Sequence, residues 1–342
     1  MGASSRLRML QYLPLLTNAG LSFDVFPLLD DDYLKRIYSG KKISKFYLMI
    51  RFLKRILQLI RLRKEQVLWI EKELFPYFPA IFEKMLNLIG FRLIVDFDDA
   101  IFHQYDEHKF SFVRLFLSRK IDRVMQYSDY VVAGNEYLAA RAQGAGAKKI
   151  EIIPTVIDLK RYSCRMYNED SNRLVIGWMG SPGSQALLVP FLSGFEKFAK
   201  KNCCEFLIVG SNIEHGYSGN LQFVKWSEES EVELIQSMDI GIMPLQNTPW
   251  QRGKCGYKLV QYMACGVPVV ASNVGVNCEI VNFSQSGYLV DKTEDWELCF
   301  KRLMSDSYLR KKLGLNGRRA VEEKYSTESQ VPNLVKIFNE AE

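Results

Sequence analysis

The chain has 342 residues, 48% of them hydrophobic and 25% charged, with a net charge of +6. That length supports two domains, and the balance is that of globular protein rather than disorder. No apolar run is long enough for a membrane span, and an odd set of seven cysteines with no Cys-x-x-Cys pair argues against structural zinc and for a reducing compartment.

The start, Met1-Gly2-Ala3-Ser4-Ser5-Arg6, lacks the apolar segment of a secretory signal and misses the myristoylation pattern at Arg6. It reads as a turn at Gly2–Ser5 followed by a helix over Arg6–Leu16. Doubly wound domains usually open with an apolar strand before such a turn, so the first strand of this lobe is expected to be missing. Strands are predicted at Leu21–Phe26, Val67–Ile70, Leu93–Phe97, Tyr130–Ala133 and Lys149–Ile153, with amphipathic stretches such as Val113–Tyr127 between them. A polar segment, Cys164 to Arg173, reads as a linker. A second series follows at Leu174–Trp178, Glu205–Val209, Leu221–Val224, Ile240–Met243, Pro268–Ala271 and Gly287–Val290, and Gln330–Glu342 forms a last amphipathic helix. Alternation of strands and helices predicts α/β lobes with parallel sheets.

Lys41 to Lys64 hold nine cations and no acid. On a helical wheel Arg51, Lys54, Arg55 and Arg61 fall together, opposite Met49, Phe52, Leu53, Ile56, Leu57 and Ile60. The apolar side is expected to cover the sheet, with the cations free to meet an anionic membrane surface or an acidic carrier. No nucleic-acid-binding module is present, so nucleic acid is not expected as a partner.

The most informative stretch is Trp250–Ser272. It reads as a glycine-bearing loop, a helix start at Gly256 or Tyr257, a stop at Gly266 and a buried strand. A loop entering a helix at a strand's carboxyl end suits a phosphate. Lys254 and Lys258 are one turn apart, Arg252 and Cys255 are adjacent, and Gln261 lies one turn further, within reach of a ribose hydroxyl. Gly180-Ser181 and Gly210-Ser211 end two other strands and are candidates to bring backbone N–H groups to the same diphosphate; a plain turn explains Gly180–Gly183 equally well. Trp226 follows a further strand and either lines a nucleobase pocket or is core. In the first lobe, Asp96-Phe97-Asp98-Asp99 ends a strand, with His103 just beyond. Asp98, Asp99 and His103 are candidate cleft residues, against the alternative of an aspartate capping the next helix. Asp96-Phe97-Asp98 also has the Asp-x-Asp form of the GT-A metal motif, discounted because it is short and the two-lobe pattern disagrees. His108 and His215 look incidental.

Met263-Ala264-Cys265-Gly266-Val267-Pro268-Val269-Val270-Ala271-Ser272 resembles the second half of the donor-site signature of glycosyltransferase family 4, the group 1 glycosyltransferases. Ser237–Pro244, Gly287–Val290, Arg318–Tyr325 and the closing helix extend the likeness. The family's two glutamates fall at Gly253 and Gln261, so this site departs from the pattern, while a Lys-Cys-x-x-Lys-Leu subset is closer. The Gly2–Arg8 loop is similar to a start seen in that subset, which implies Gly2, Ser5 and Arg6 or Arg8 near phosphate or acceptor.

The resemblance implies a GT-B fold: two Rossmann-like doubly wound lobes facing a central cleft, with a C-terminal helix crossing back. The expected domains are 1–157 with 327–342 on the acceptor side, and 170–326 binding the nucleotide sugar. It implies sugar transfer from a nucleoside diphosphate sugar to a glycan or lipid-linked acceptor, with retention, no metal and no cofactor beyond that donor. A cytoplasmic location, peripheral at the inner membrane face, goes with it. The alternative is a non-catalytic nucleotide-sugar-binding or scaffold protein. A dinucleotide oxidoreductase is disfavoured, as no Gly-x-Gly-x-x-Gly follows a strand.

Overall fold

The computed structural model describes residues 2–38, 41, 43–167, 173–213 and 219–341; Met1, Lys42, His215, the residues 168–172 of the expected linker, and Glu342 lie outside them. The chain divides into two compact units, Met1–Thr155 with Gln330–Glu342, and Val156–Ser329. Among the described residues no helix is long and apolar enough to cross a membrane.

The N-terminal unit holds a parallel sheet of β1 (Val67–Glu71), β2 (Arg92–Phe97), β3 (Tyr130–Ala133) and β4 (Ile150–Ile152), in that spatial order. Leu93–Phe97 is buried throughout, as a strand covered on both faces requires. The helix Glu136–Ala145 starts on Asn135, whose side chain accepts from Leu138 N at 3.0 Å, and stops at left-handed Gly146. The last helix, Thr327–Ala341, packs Phe338 against Trp69 of β1 and Phe23, with ring centroids 5.4 and 5.5 Å away.

Several expectations fail here, each for a local reason. Leu21–Phe26 is not a strand. Arg55 of the helix Lys45–Ile60 donates to the Phe26 carbonyl, and Arg51 donates to those of Pro27 and Leu28, so side chains take backbone groups that a sheet would pair. Ser4 and Ser5 lie inside a helix, Ala3–Arg8, rather than in a turn, and Met9 breaks the expected Arg6–Leu16 helix into shorter pieces. Val113–Tyr127 is two helices, Ser111–Leu117 and Lys120–Tyr127. Among the described residues β1 pairs only with β2, which leaves its other edge unpaired.

The C-terminal unit holds six parallel strands: β5 (Val175–Met179), β6 (Glu205–Val209), β7 (Leu221–Val224), β8 (Ile240–Met243), β9 (Val269–Ser272) and β10 (Gly287–Val290). Their order is β10-β9-β8-β5-β6-β7. Chain direction across the sheet reverses between β5 and β8, which makes their carboxyl ends the topological switch point. Gly177 of β5 and Gly241 of β8 are paired neighbours. A Cβ on either would strike Met238 or Tyr262, so these glycines let the flanking helices close on the sheet. The described residues 164–167 of the expected linker are tied to the unit: Arg165 pairs with Asp239 at 3.0 Å and the Tyr167 hydroxyl donates to the Gly266 carbonyl at 2.6 Å.

Candidate functional site

At the switch point the chain leaves β8 through Pro244–Thr248 into a short helix, Pro249–Arg252, where the Thr248 side chain accepts from Gln251 N. It then turns at Gly256, with φ +66°, into the helix Tyr257–Ala264. A side chain is excluded at Gly256 twice over, by that left-handed backbone and by Ile280 Cδ1, which lies 2.4 Å from where a Cβ would sit. No side chain caps the helix, so its start presents the positive end of the dipole.

Lys258 is the central residue. It is half-buried, its ammonium lies over the Trp178 ring of β5 at 5.5 Å, and among the described residues no carboxylate pairs with it. Burial pushes its pKa down to about 8, with the Lys254 charge acting in the same direction. Lys254 Nζ lies 5.8 Å from the Trp250 ring. Two cations converge where one is short of counter-charge, an arrangement that a bound anion relieves. Arg252, exposed, is turned aside: its Nε donates to Asn247 at 2.8 Å. Cys255 is buried.

A second cluster lies in the same unit. Glu231, buried at the start of the helix Glu231–Gln236, accepts from the Trp226 indole N–H at 2.7 Å, from Arg161 at 3.0 Å and from the Tyr162 hydroxyl. Gln261 is also buried, and its amide donates to Tyr162 Oη at 3.1 Å; Tyr257 Oη is 3.4 Å from that hydroxyl. The ribose contact expected of Gln261 is therefore replaced by an interior one. Trp226 keeps one edge fixed by Glu231 and stays 41% exposed, which leaves ring surface for stacking. Glu231 and Tyr162 were not singled out from the sequence, because Tyr162 sits just ahead of the apparent linker and Glu231 in an ordinary acidic helix start.

Three of the four expected backbone donors to a diphosphate, those of Gly180, Ser181 and Gly210, are already engaged within the unit. Gly180 N donates to the Val209 carbonyl at 3.0 Å, and Ser181 N to Ser184 Oγ at 2.9 Å. Gly210, with φ +78°, packs against the Gly180 carbonyl and donates to Val224 O; Ser211 Oγ donates to Gln185. These residues tie two loops together.

In the N-terminal unit, Arg8 forms a buried ion pair with Asp96 at 2.8 Å and also donates to the Ile153 carbonyl. Burial raises the Asp96 pKa to about 6 against the pull of Arg8, and the pair closes the Asp-x-Asp motif to a metal. Lys72 bridges Asp98 at 3.0 Å and Ser4 Oγ at 3.0 Å, and Ser5 donates to Glu71 at 2.6 Å. Burial alone would raise the Asp98 carboxyl; Lys72, Ser4 and Arg8 outweigh it and hold it low. Asp99 accepts from Ala100 N in a local turn. His103 has both ring nitrogens partnered, by Asp106 and Tyr137 Oη at 2.9 Å each. Among the described residues, His103, Asp106 and Glu107 are the one grouping with metal-ligand spacing, and Arg141 already pairs with Asp106. Gly2 and Arg6 are half-buried at the first helix.

Residues 173–306 match the family described as glycosyl transferases group 1. The C-terminal unit resembles that family over most of its length. Over 177 residues, 49% of the chain, it is 24% identical to the capsular polysaccharide biosynthesis glycosyltransferase CapM of Staphylococcus aureus. The chain spans about half the length of the curated relatives it matches. In structure it is similar to WaaG, a glycosyltransferase involved in lipopolysaccharide biosynthesis (TM-score 0.67, 13% identity, covering 98% of this chain and 96% of that one). It also resembles Anabaena HepE in complex with UDP-glucose (TM-score 0.58, 16% identity, covering 77% and 76%). The fold is GT-B, as expected. The stretch that matches the family includes the Lys254–Lys258 loop.

Proposed function

We propose that the chain transfers a sugar from a nucleoside diphosphate sugar to a glycan or lipid-linked acceptor. The donor diphosphate is held by Lys254, Lys258 and the start of the helix Tyr257–Ala264. The observation that carries this reading is Lys258 itself: a half-buried ammonium without a carboxylate, at the switch point of the sheet. As the sugar–phosphate bond breaks, negative charge grows on the leaving diphosphate, and two preplaced cations stabilise it without reorganising. Trp226 offers its ring to the base. The N-terminal unit, with Glu71, Lys72 and Asp98 at the carboxyl ends of β1 and β2, is assigned to the acceptor. Retention and independence from metal follow from likeness to the family, and the CapM and WaaG names support a glycan acceptor.

The test is a panel of nucleotide sugars, scored by thermal stabilisation and by release of nucleoside diphosphate. One donor is expected to raise the melting temperature, because it binds only the native state, and to be consumed. Lys258→Ala should lose both responses. If no nucleotide sugar or nucleoside diphosphate stabilises the chain and none is turned over, the reading is wrong.

A further inference from the structure

The segment that follows β1 is bent against the preferences of its residues. Lys72 and Tyr77 both take left-handed backbone, with φ +62° and +60°, a conformation unfavourable for any residue that carries a side chain. A turn needed for shape alone is better served by glycine. The segment is held by buried side chains of three helices, Ile81–Ile89, His103–Asp106 and Lys120–Tyr127. Glu73 accepts from the Tyr105 hydroxyl at 2.7 Å and pairs with the Lys120 ammonium, which also donates to the Phe75 carbonyl. Glu83 accepts from Leu74 N at 3.0 Å, and Tyr105 Oη accepts from Tyr77 N at 3.0 Å. Surroundings that over-determine a backbone in this way are what keep a strained conformation in place.

The strain maintains the position of Lys72. Its ammonium reaches Asp98 at 3.0 Å and Ser4 Oγ at 3.0 Å, and stands 3.8 Å from Glu71 Oε1. Ser5 donates to the other Glu71 oxygen at 2.6 Å. Oε1 therefore lies beyond hydrogen-bond distance of the lysine, and the Glu71 side chain is the most open of the three, 29% exposed against 20% for Lys72 and 15% for Asp98. Charge restricts what this end of the sheet can receive. Lys72 already fills the place between Glu71 and Asp98 that a metal ion or an amine would take. Arg8 and Asp96 cancel each other, and Glu71, Asp98 and Asp99 outnumber Lys72 and the half-buried Arg6, so a phosphate or carboxylate is repelled. An uncharged donor of hydrogen bonds fits, since a carboxylate accepts from hydroxyls at both of its oxygens.

We propose that Glu71 receives ring hydroxyls of an uncharged sugar on the acceptor, and that Lys72 is a positioning residue that holds Glu71 and Asp98 for this contact. The proposal rests on the reading of the N-terminal unit as the acceptor side. It narrows the acceptor to one whose receiving end carries neither phosphate nor carboxylate. Lys72 acts through its neighbours. Its ammonium separates Glu71 from Asp98 and, with Ser4, holds the Asp98 carboxyl below its ordinary range in spite of burial.

The experiment is saturation-transfer NMR of the full chain with the methyl glycosides of glucose, galactose, mannose and N-acetylglucosamine, against glucose 6-phosphate and glucuronic acid, with no nucleotide present. At least one neutral glycoside is expected to bind, and the charged sugars to bind about tenfold more weakly or not at all. Glu71→Gln keeps the shape of the side chain and should weaken the glycoside about tenfold or more. Lys72→Met should weaken it similarly, and Lys72→Arg, which keeps the charge, should recover part of the loss. Far-UV circular dichroism checks the fold, and Glu71→Gln decides alone if Lys72→Met unfolds. The proposal is overturned if no neutral glycoside binds, if the charged sugars bind as well, or if folded Glu71→Gln binds like wild type. Turnover of a nucleotide sugar alongside any of these results would sink the proposal and leave the transferase reading standing. Glycoside binding that is lost in Glu71→Gln, with no nucleotide sugar bound, supports the proposal and counts against the donor site alone.

Discussion

Lys258 makes the affinity for a diphosphate depend on pH in a defined direction. Its ammonium titrates near 8 in the unliganded protein, because burial and Lys254 both disfavour the charged form. A bound anion favours that form, so its pKa rises in the complex and binding takes up a proton. The perturbation is to raise pH from 6.5 to 9.5, a range in which the ligand's terminal phosphate has mostly ionised. Affinity should be level up to about pH 7.5. At pH 9, one unit above the pKa, about a tenth of the lysine remains protonated, and affinity should be about tenfold lower, a loss of about 1.4 kcal/mol. Isothermal titration with uridine or guanosine diphosphate, in buffers of different ionisation heat, reads both quantities. Near pH 8 it should count about half a proton taken up per ligand bound. A flat affinity profile, or the same slope in Lys258→Met, refutes the assignment of the titration to this lysine.

Three further outcomes follow from other parts of the molecule. Asp96→Asn leaves Arg8 buried without its partner and should cost about 3–5 kcal/mol in urea unfolding, while Arg8→Met with Asp96→Leu should recover part of it; no loss in the single variant would mean the pair is not formed. Gly256→Ala imposes a left-handed alanine against Ile280, a cost of about 1–2 kcal/mol from the backbone alone, and should weaken diphosphate binding as the loop shifts; wild-type stability and binding would contradict this geometry. Trp226→Ala should weaken a nucleoside diphosphate by about 1–3 kcal/mol through lost stacking yet leave inorganic pyrophosphate unchanged; equal effects on both ligands would remove the base from this ring.

The C-terminal sheet was legible because its strands are short apolar runs ended by glycines and polar loops. All six lie within one residue of where pattern places them. The helix after Gly256 was legible for a similar reason, with Gly256 and Gly266 marking its ends. What pattern cannot show is which partner a polar group finds at long range. Leu21–Phe26 has the composition of a strand, but its neighbouring carbonyls are claimed by arginines more than twenty residues further along. Gln261 carries the right chemistry for a ribose, yet Tyr162, 99 residues away, takes its amide. The helix Lys45–Ile60 shows the same limit. Its apolar arc is wide enough that Phe52 faces inward while Leu57 faces out, and a helical wheel has no means of choosing between them.

The most direct measurement of the donor site is the affinity of a nucleoside diphosphate for wild type and for Lys258→Met, a variant of similar length without charge. Loss of a charge-assisted contact of about 1.5–3 kcal/mol predicts an affinity lowered by about ten- to 150-fold, with unfolding stability held or raised. Equal affinity in the folded variant would place the diphosphate elsewhere.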